Sequence, residues 1–141
     1  LYIALAEQAF FPVEELKTYY QNDSRLSGHV SHKVPGVDVS TGSLGHGLPV
    51  ACGMALAARY RKKSHRIFCV VSDGDLNEGS SWEAIMLAGQ HHFDNLIMLV
   101  DYNRLQALGK SKDIIDLESL KEKLEALGAD KEDDIKATDG F

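Results

Sequence analysis

The sequence predicts an α/β fold with an open, mostly parallel sheet, and three observations carry that expectation. Two apolar runs, Ile67-Phe68-Cys69-Val70-Val71 and Leu96-Ile97-Met98-Leu99-Val100, have the length and the β-branched and aromatic content of strands. The stretch between them is long enough for one helix, and a strand-helix-strand unit joins parallel neighbours. Asp73 lies just past the first run and Asn103 just past the second. Both side chains therefore belong at the carboxyl edge of the sheet, where open α/β folds bind ligands.

Taken in chain order, residues 1–11 are apolar enough for a buried helix, and Pro12-Val13-Glu14-Glu15-Leu16 opens a second, short one with proline in its first turn. Residues 21–47 mix Gly, Ser, His and Pro without a sustained period and read as loop. A loop of that length in a compact domain is usually functional or disordered. Residues 48–60 should form a helix whose small side chains, among them Ala51, Gly53, Ala55 and Ala58, suit close packing. A strand over 67–71, a helix over 78–91 and a strand over 96–101 make the central unit. The last helix should start at Asp116 as N-cap and stop at Leu127-Gly128. No internal repeat or low-complexity tract interrupts this series.

Composition sets limits. With 141 residues and 44% apolar content the chain can bury one core, and one domain over 1–141 is expected. A formal charge of −6 gives no electrostatic footprint for nucleic acid. The short basic stretch from Arg59 to Arg66 reads as cations at a helix C-terminus. Cys52 and Cys69 form neither a CxxC pair nor a disulfide scaffold, which leads to the expectation of reduced thiols and a cytoplasmic protein. No apolar run approaches the roughly 20 residues of a membrane span, and no signal-peptide pattern opens the chain. Because it opens at Leu1 without a Met, a piece of a longer polypeptide is expected.

The residue types at the carboxyl edge suit a metal and a diphosphate. Mg²⁺ takes about six oxygen ligands and keeps some for phosphate and water, so a protein offers typically one carboxylate with one or two neutral oxygens. Asp73, the amide oxygen of Asn103 and a nearby backbone carbonyl match that demand. Gly74 lets the backbone approach a diphosphate without a Cβ in the way. The helix that follows, starting near Asn77 or Glu78, can aim free N–H groups at the same anion. An acid-Gly pair alone is more often a turn; the second strand with its asparagine is what raises it to a site. Thr41-Gly42-Ser43-Leu44-Gly45-His46-Gly47 precedes a helix as phosphate loops do, but it lacks the Walker lysine and a clear preceding strand. Tight helix packing through glycine is its alternative reading. Of the histidines, His29 and His32 have no further ligands at zinc spacing, His91 and His92 suit a helix C-terminus, His65 belongs to the basic stretch, and His46 has no assignable role.

Together these residues resemble a known family. Asp73-Gly74 followed at βαβ spacing by Asn103 looks like the thiamine diphosphate motif. The Thr41–Gly47 loop, Gly53-Met54-Ala55-Leu56-Ala57, Glu78-Gly79, Trp82-Glu83-Ala84 and Asp94-Asn95-Leu96-Ile97 are similar to the transketolases, from about residue 2 to residue 128. The resemblance implies the thiamine diphosphate-binding fold, an open sheet with helices on both faces, here a diphosphate-binding domain incomplete at both ends. It implies transfer of a two-carbon ketol unit from a ketose phosphate to an aldose phosphate, in the pentose phosphate pathway or a dedicated sugar route. By the same resemblance Asp73, Asn103 and the carbonyl of Leu105 hold Mg²⁺ or Ca²⁺. Gly42, Leu44, Ser72, Gly74 and Asn103 contact thiamine diphosphate. His29 hydrogen-bonds donor-sugar hydroxyls, which an imidazole can do in either protonation state. Glu78 and Glu83 join a carboxylate network between paired active sites, where close acids titrate as a set. Acids in the first turns of a helix need no such role, since they complement its positive end.

Departures from the pattern matter too. Ser72 stands where many thiamine diphosphate enzymes have glycine, and Tyr102 where the motif often has another asparagine. The glutamate that activates the cofactor belongs in this family to a pyrimidine-binding domain. The partner that the resemblance implies is therefore a pyrimidine-binding domain or C-terminal subunit, in a homodimer or an α₂β₂ assembly, with this stretch inactive alone. The alpha subunit of a 2-oxo acid dehydrogenase, which shares the motif, and a non-catalytic paralogue are the alternatives.

Overall fold

A computed structural model describes residues 1–129, in two compact units, Leu1–Ser43 and the described residues from Leu44 onward. The end of the expected domain span, residues 130–141, lies outside the described residues.

In the first unit, α1 (Tyr2–Glu7) is shorter than the helix expected over 1–11, and of its residues only Ala6 is buried. The reason is a turn of the backbone. Ala9 adopts φ +59°, its N–H donates to the Ala6 carbonyl, and the N–H of Phe10 donates to the Leu5 carbonyl. This pair of bonds is a Schellman stop, usually built on glycine. The chain then folds back, and Ala6, Phe11, Leu26 and Val34 form a small core flanked by Tyr2, Leu5, Leu16 and Val37. Pro12 caps a 3₁₀ helix, Val13–Thr18, where a second short helix was expected. From there to residue 46 the chain is loop, as expected, tied by bonds such as Thr41 N–H to the Val30 carbonyl, 3.1 Å.

The second unit holds the βαβ motif. After α2 (Gly47–Tyr60) come β1 (Ile67–Ser72), a 3₁₀ turn (Asp75–Asn77), α3 (Gly79–Gln90) and β2 (Leu96–Asp101). β1 and β2 pair in parallel from Ile67 opposite Leu96 to Ser72 opposite Asp101. Helix and parallel strand thus combine as the α/β class requires. Leu48, Ala51, Cys52 and Ala55 of α2 share a core with Ile67, Leu76, Ala84, Ile85 and Phe93. The alanines let α2 sit close to α3, and the Asn95 amide donates to the Ala55 carbonyl at 3.0 Å. Arg59, in the basic stretch read as helix-terminal, donates from Nη1 to the carbonyls of His91 and His92 just past α3, at 2.6 and 2.7 Å. A cation there offsets the free carbonyls and the negative end of that helix.

The four elements past β2 depart from expectation. A hairpin of β3 (Leu105–Gln106) and β4 (Gly109–Lys110) and the single turn α4 (Ser111–Ile114) fill a stretch in which no element was foreseen. The last helix, α5 (Leu120–Ala126), begins at an N-cap of Ser119 and not at Asp116. Asp116 instead accepts the Glu118 N–H at 3.0 Å in a local turn, the other common use of an aspartate next to backbone. Gly128, at φ +89°, ends the helix region as foreseen.

Candidate functional site

The parallel register carries Asp73 and Asn103 just beyond the paired residues Ser72 and Asp101, at the carboxyl ends of neighbouring strands. Asp73 is 1% exposed. Its Oδ2 accepts a hydrogen bond from the hydroxyl of Ser111, the first residue of α4, while its Oδ1 is buried with no hydrogen-bond partner among the described residues. A buried carboxylate oxygen without a donor is costly, and the usual solutions are a cation or an added proton donor. Asn103 is exposed; its Oδ1 accepts the Leu105 N–H at 2.9 Å and keeps a second lone pair, while its Nδ2 donates to Asp101 Oδ2 at 3.4 Å. Arg104 between them has φ +65°, which turns the chain sharply back toward the hairpin. One carboxylate oxygen, one amide oxygen and backbone carbonyls form the donor chemistry that a hard divalent cation prefers.

Gly74 borders the same edge. A Cβ built there would lie 3.4 Å from Leu44 Cδ1, 3.7 Å from Ser72 Oγ and 3.8 Å from Gln106 Oε1. Leu44, Ser72 and Gly74, all expected as cofactor contacts, are thus neighbours. Gly45, next along, is buried at φ +75°, and a Cβ on it would fall 2.5 Å from both Glu78 Cβ and Ser80 Oγ. Tight packing through glycine, the alternative reading of this loop, therefore holds for Gly45. Glu78 is the N-cap of α3 without a side-chain capping bond, and both it and Glu83 are exposed in the isolated chain.

Within the first unit His29 is exposed and its ring lies against Gly42, whose added Cβ would be 3.3 Å from His29 Cγ. Ser27 Oγ donates to the His29 carbonyl at 2.6 Å. His32 is engaged elsewhere, its Nδ1 2.6 Å from Ser40 Oγ.

Burial and a hydrogen bond to Glu118 raise the Tyr102 pKa above its ordinary value; that bond, 3.1 Å, holds the hydroxyl where the motif often has an asparagine. Burial, with Asp75 and Cys52 adding to it, pushes the Cys69 thiol up to about 11. It stays protonated at neutral pH and is a poor nucleophile. Cys52 is likewise raised by burial, and its thiol donates to the Ala84 carbonyl at 3.5 Å.

Sequence reading missed three participants. Ser111 touches Asp73 from far along the chain, Asp75 accepts the Gly45 N–H of the Gly-rich loop, and Gln106 accepts from Asn77 Nδ2 at 3.3 Å. Only Asp75 carried a visible signal, as an acid next to the Asp73-Gly74 pair.

Comparison with known proteins gives a consistent answer. The family model described as transketolase, thiamine diphosphate binding domain, matches residues 1–139. The chain is 48% identical over 128 residues to an apulose-4-phosphate transketolase subunit of Actinobacillus succinogenes, covering 90% of this chain and 46% of that protein. It is 40% identical over 129 residues to the 6-deoxy-6-sulfo-D-fructose transketolase subunit SqwG of a Clostridium species, covering 91% of this chain and 47% of that one. The chain thus spans about half the length of these relatives. Among solved structures, transketolase from Leishmania mexicana superposes with a TM-score of 0.73 at 33% identity, over 89% of this chain and 20% of the other.

Proposed function

The chain belongs to the transketolase family as its thiamine diphosphate-binding domain, and from that premise we propose that it anchors the cofactor of an enzyme moving a two-carbon ketol unit from a ketose phosphate to an aldose phosphate. The observation that carries this is Asp73, a buried carboxylate with one oxygen bonded by Ser111 and the other without a partner among the described residues, at the carboxyl edge beside Asn103. Asp73, Asn103 and the Leu105 carbonyl are proposed to hold Mg²⁺ or Ca²⁺, which would supply the positive charge that offsets the diphosphate. Ser72, Gly74, Leu44 and Gly42 bound the cofactor. When bound, thiamine diphosphate supplies the nucleophile and the electron sink. The 2-oxo acid dehydrogenase alternative is disfavoured by the family match.

The assay is direct. The full-length chain and its pyrimidine-binding partner, given thiamine diphosphate, Mg²⁺, a ketose phosphate and an aldose phosphate, should yield an aldose two carbons shorter than the donor and a ketose two carbons longer than the acceptor. No transfer across a panel of ketose phosphates would overturn the reading.

His29 is proposed to bind the donor through sugar hydroxyls. His29→Ala should lower kcat/KM for the ketose by roughly two- to tenfold, the worth of one hydrogen bond of about 0.5–1.5 kcal/mol, while cofactor affinity holds. Steady-state kinetics with several ketose phosphates reads this out. An unchanged donor specificity constant in all of them would return His29 to the loop.

Glu78 and Glu83 are proposed to face a partner subunit in a dimer or an α₂β₂ assembly, and their exposure in the isolated chain leaves them available for it. The relatives named as transketolase subunits support a separate partner chain. Glu78→Gln should weaken assembly or cofactor activation with the fold intact. Light scattering and activity measured together would show it, and a fully active monomer contradicts the proposal. The elevated, unpaired thiols Cys52 and Cys69 suit a reducing compartment, and we place the protein in the cytoplasm.

A further inference from the structure

We infer that Asp75 is a positioning residue that clamps the Gly-rich loop to the turn after β1, a role resting on the cofactor reading above.

The geometry is specific. Asp75 Oδ1 accepts the Gly45 N–H at 3.0 Å, and its Oδ2 accepts both the Ser72 N–H and the Ser72 hydroxyl, each at 3.0 Å. In return the Asp75 N–H donates to Ser72 Oγ at 3.3 Å, and its carbonyl accepts from Ser81 Oγ at 2.6 Å, tying the turn to α3. Gly45 is held from its other side as well, its carbonyl accepting from Ser80 Oγ at 2.8 Å. The left-handed backbone of Gly45, with no room for a Cβ, leaves the loop one seat on α3.

Two consequences follow. The clamp holds the loop beside Gly74, where an added Cβ would stand 3.4 Å from Leu44 Cδ1, and Leu44 and Gly74 are both proposed to border the cofactor. It also gives the Ser72 hydroxyl a structural use. The Ser72 hydroxyl is engaged by the Asp75 carboxylate, so an oxygen that would crowd a diphosphate is instead part of the support. A carboxylate near an anion is unfavourable unless its charge is satisfied, and the donors from Gly45 and Ser72 do that. A loop ordered before the cofactor arrives spares binding the entropy of ordering it.

The test uses the full-length chain with its partner, comparing Asp75→Asn, Ser72→Gly and the double variant. In Asp75→Asn the new amide donor must face one of the N–H groups that the carboxylate served. Hydrogen exchange at the Gly45 or the Ser72 amide of the cofactor-free protein should quicken, and the calorimetric Kd for thiamine diphosphate at saturating Mg²⁺ should rise about tenfold. That is the scale of one hydrogen bond to a charged group. The loss should fall on cofactor affinity and not on the KM of the donor sugar. Ser72→Gly should show a similar, smaller change, and the double variant less than the product of the two, since both break one network. Asp75→Asn binding cofactor as tightly as the parent, or exchange unaltered at both the Gly45 and the Ser72 amide, overturns the assignment alone. A parent protein that binds no thiamine diphosphate overturns the cofactor reading and the assignment with it.

Discussion

Asp73→Ala should abolish thiamine diphosphate binding in the full-length protein with its partner domain. The substitution removes the carboxylate at the carboxyl end of β1 and leaves the Ser111 hydroxyl without its acceptor in a buried place. Loss of an outer partner of a metal ligand costs about 10–100-fold in affinity, so loss of the carboxylate itself should exceed that. Ser111→Ala supplies the scale, with an expected loss within the outer-partner range. Calorimetric titration of both variants at fixed Mg²⁺ measures the series, and an Asp73→Ala variant with parental affinity would remove the metal assignment.

Gly89→Ala should destabilise the fold strongly, against the local rule. Near the end of a helix such as α3, alanine is ordinarily favoured over glycine by about 0.5–1 kcal/mol. Here an added Cβ would fall 1.8 Å from the Leu127 carbonyl oxygen and 3.0 Å from its carbon, with Gly128 also adjacent. These are backbone atoms of the cap just past α5, which cannot rotate away as a side chain would. Overpacking costs typically 1–3 kcal/mol, which exceeds the propensity gain, so a net loss on the order of 1–2 kcal/mol is expected. Chemical denaturation of parent and variant decides the sign, and a more stable Gly89→Ala would show that α5 is not seated on α3.

The sequence was most legible where one physical signal dominated. β1 and β2 announced themselves as apolar runs, and the helix-length interval between them dictated parallel pairing and hence the edge that Asp73 and Asn103 share. α2 was readable from its small apolar side chains. Helix ends were harder. α1, α2 and α3 close with left-handed residues Ala9, Lys62 and His92, each donating one return hydrogen bond and the residue after it the other, in the place where glycine is usual, while among the described residues only α5 closes on a glycine, Gly128. The stop signal was therefore visible for one helix in sequence and hidden for the others. The β3–β4 hairpin has strands too short for a period of two to register, and its central Ala107-Leu108 lacks turn-forming residue types.

Within the candidate site the same division holds. Ligand types were readable because cation chemistry restricts them to few residues. Their supports were not. Ser111 reaches Asp73, and Asp75 reaches Gly45, through contacts between segments far apart in sequence. A serine or aspartate in a loop has many local uses, so neither contact has a sequence signature.

The central claim is that Asp73 and Asn103 hold a diphosphate through a divalent ion. The measurement that tests it most directly is titration of thiamine diphosphate into the metal-stripped, full-length protein with its partner domain, with and without Mg²⁺ or Ca²⁺. Saturable binding should occur only with the ion present, because the diphosphate and the Asp73 carboxylate otherwise repel. Equal affinity with and without divalent ion would contradict it.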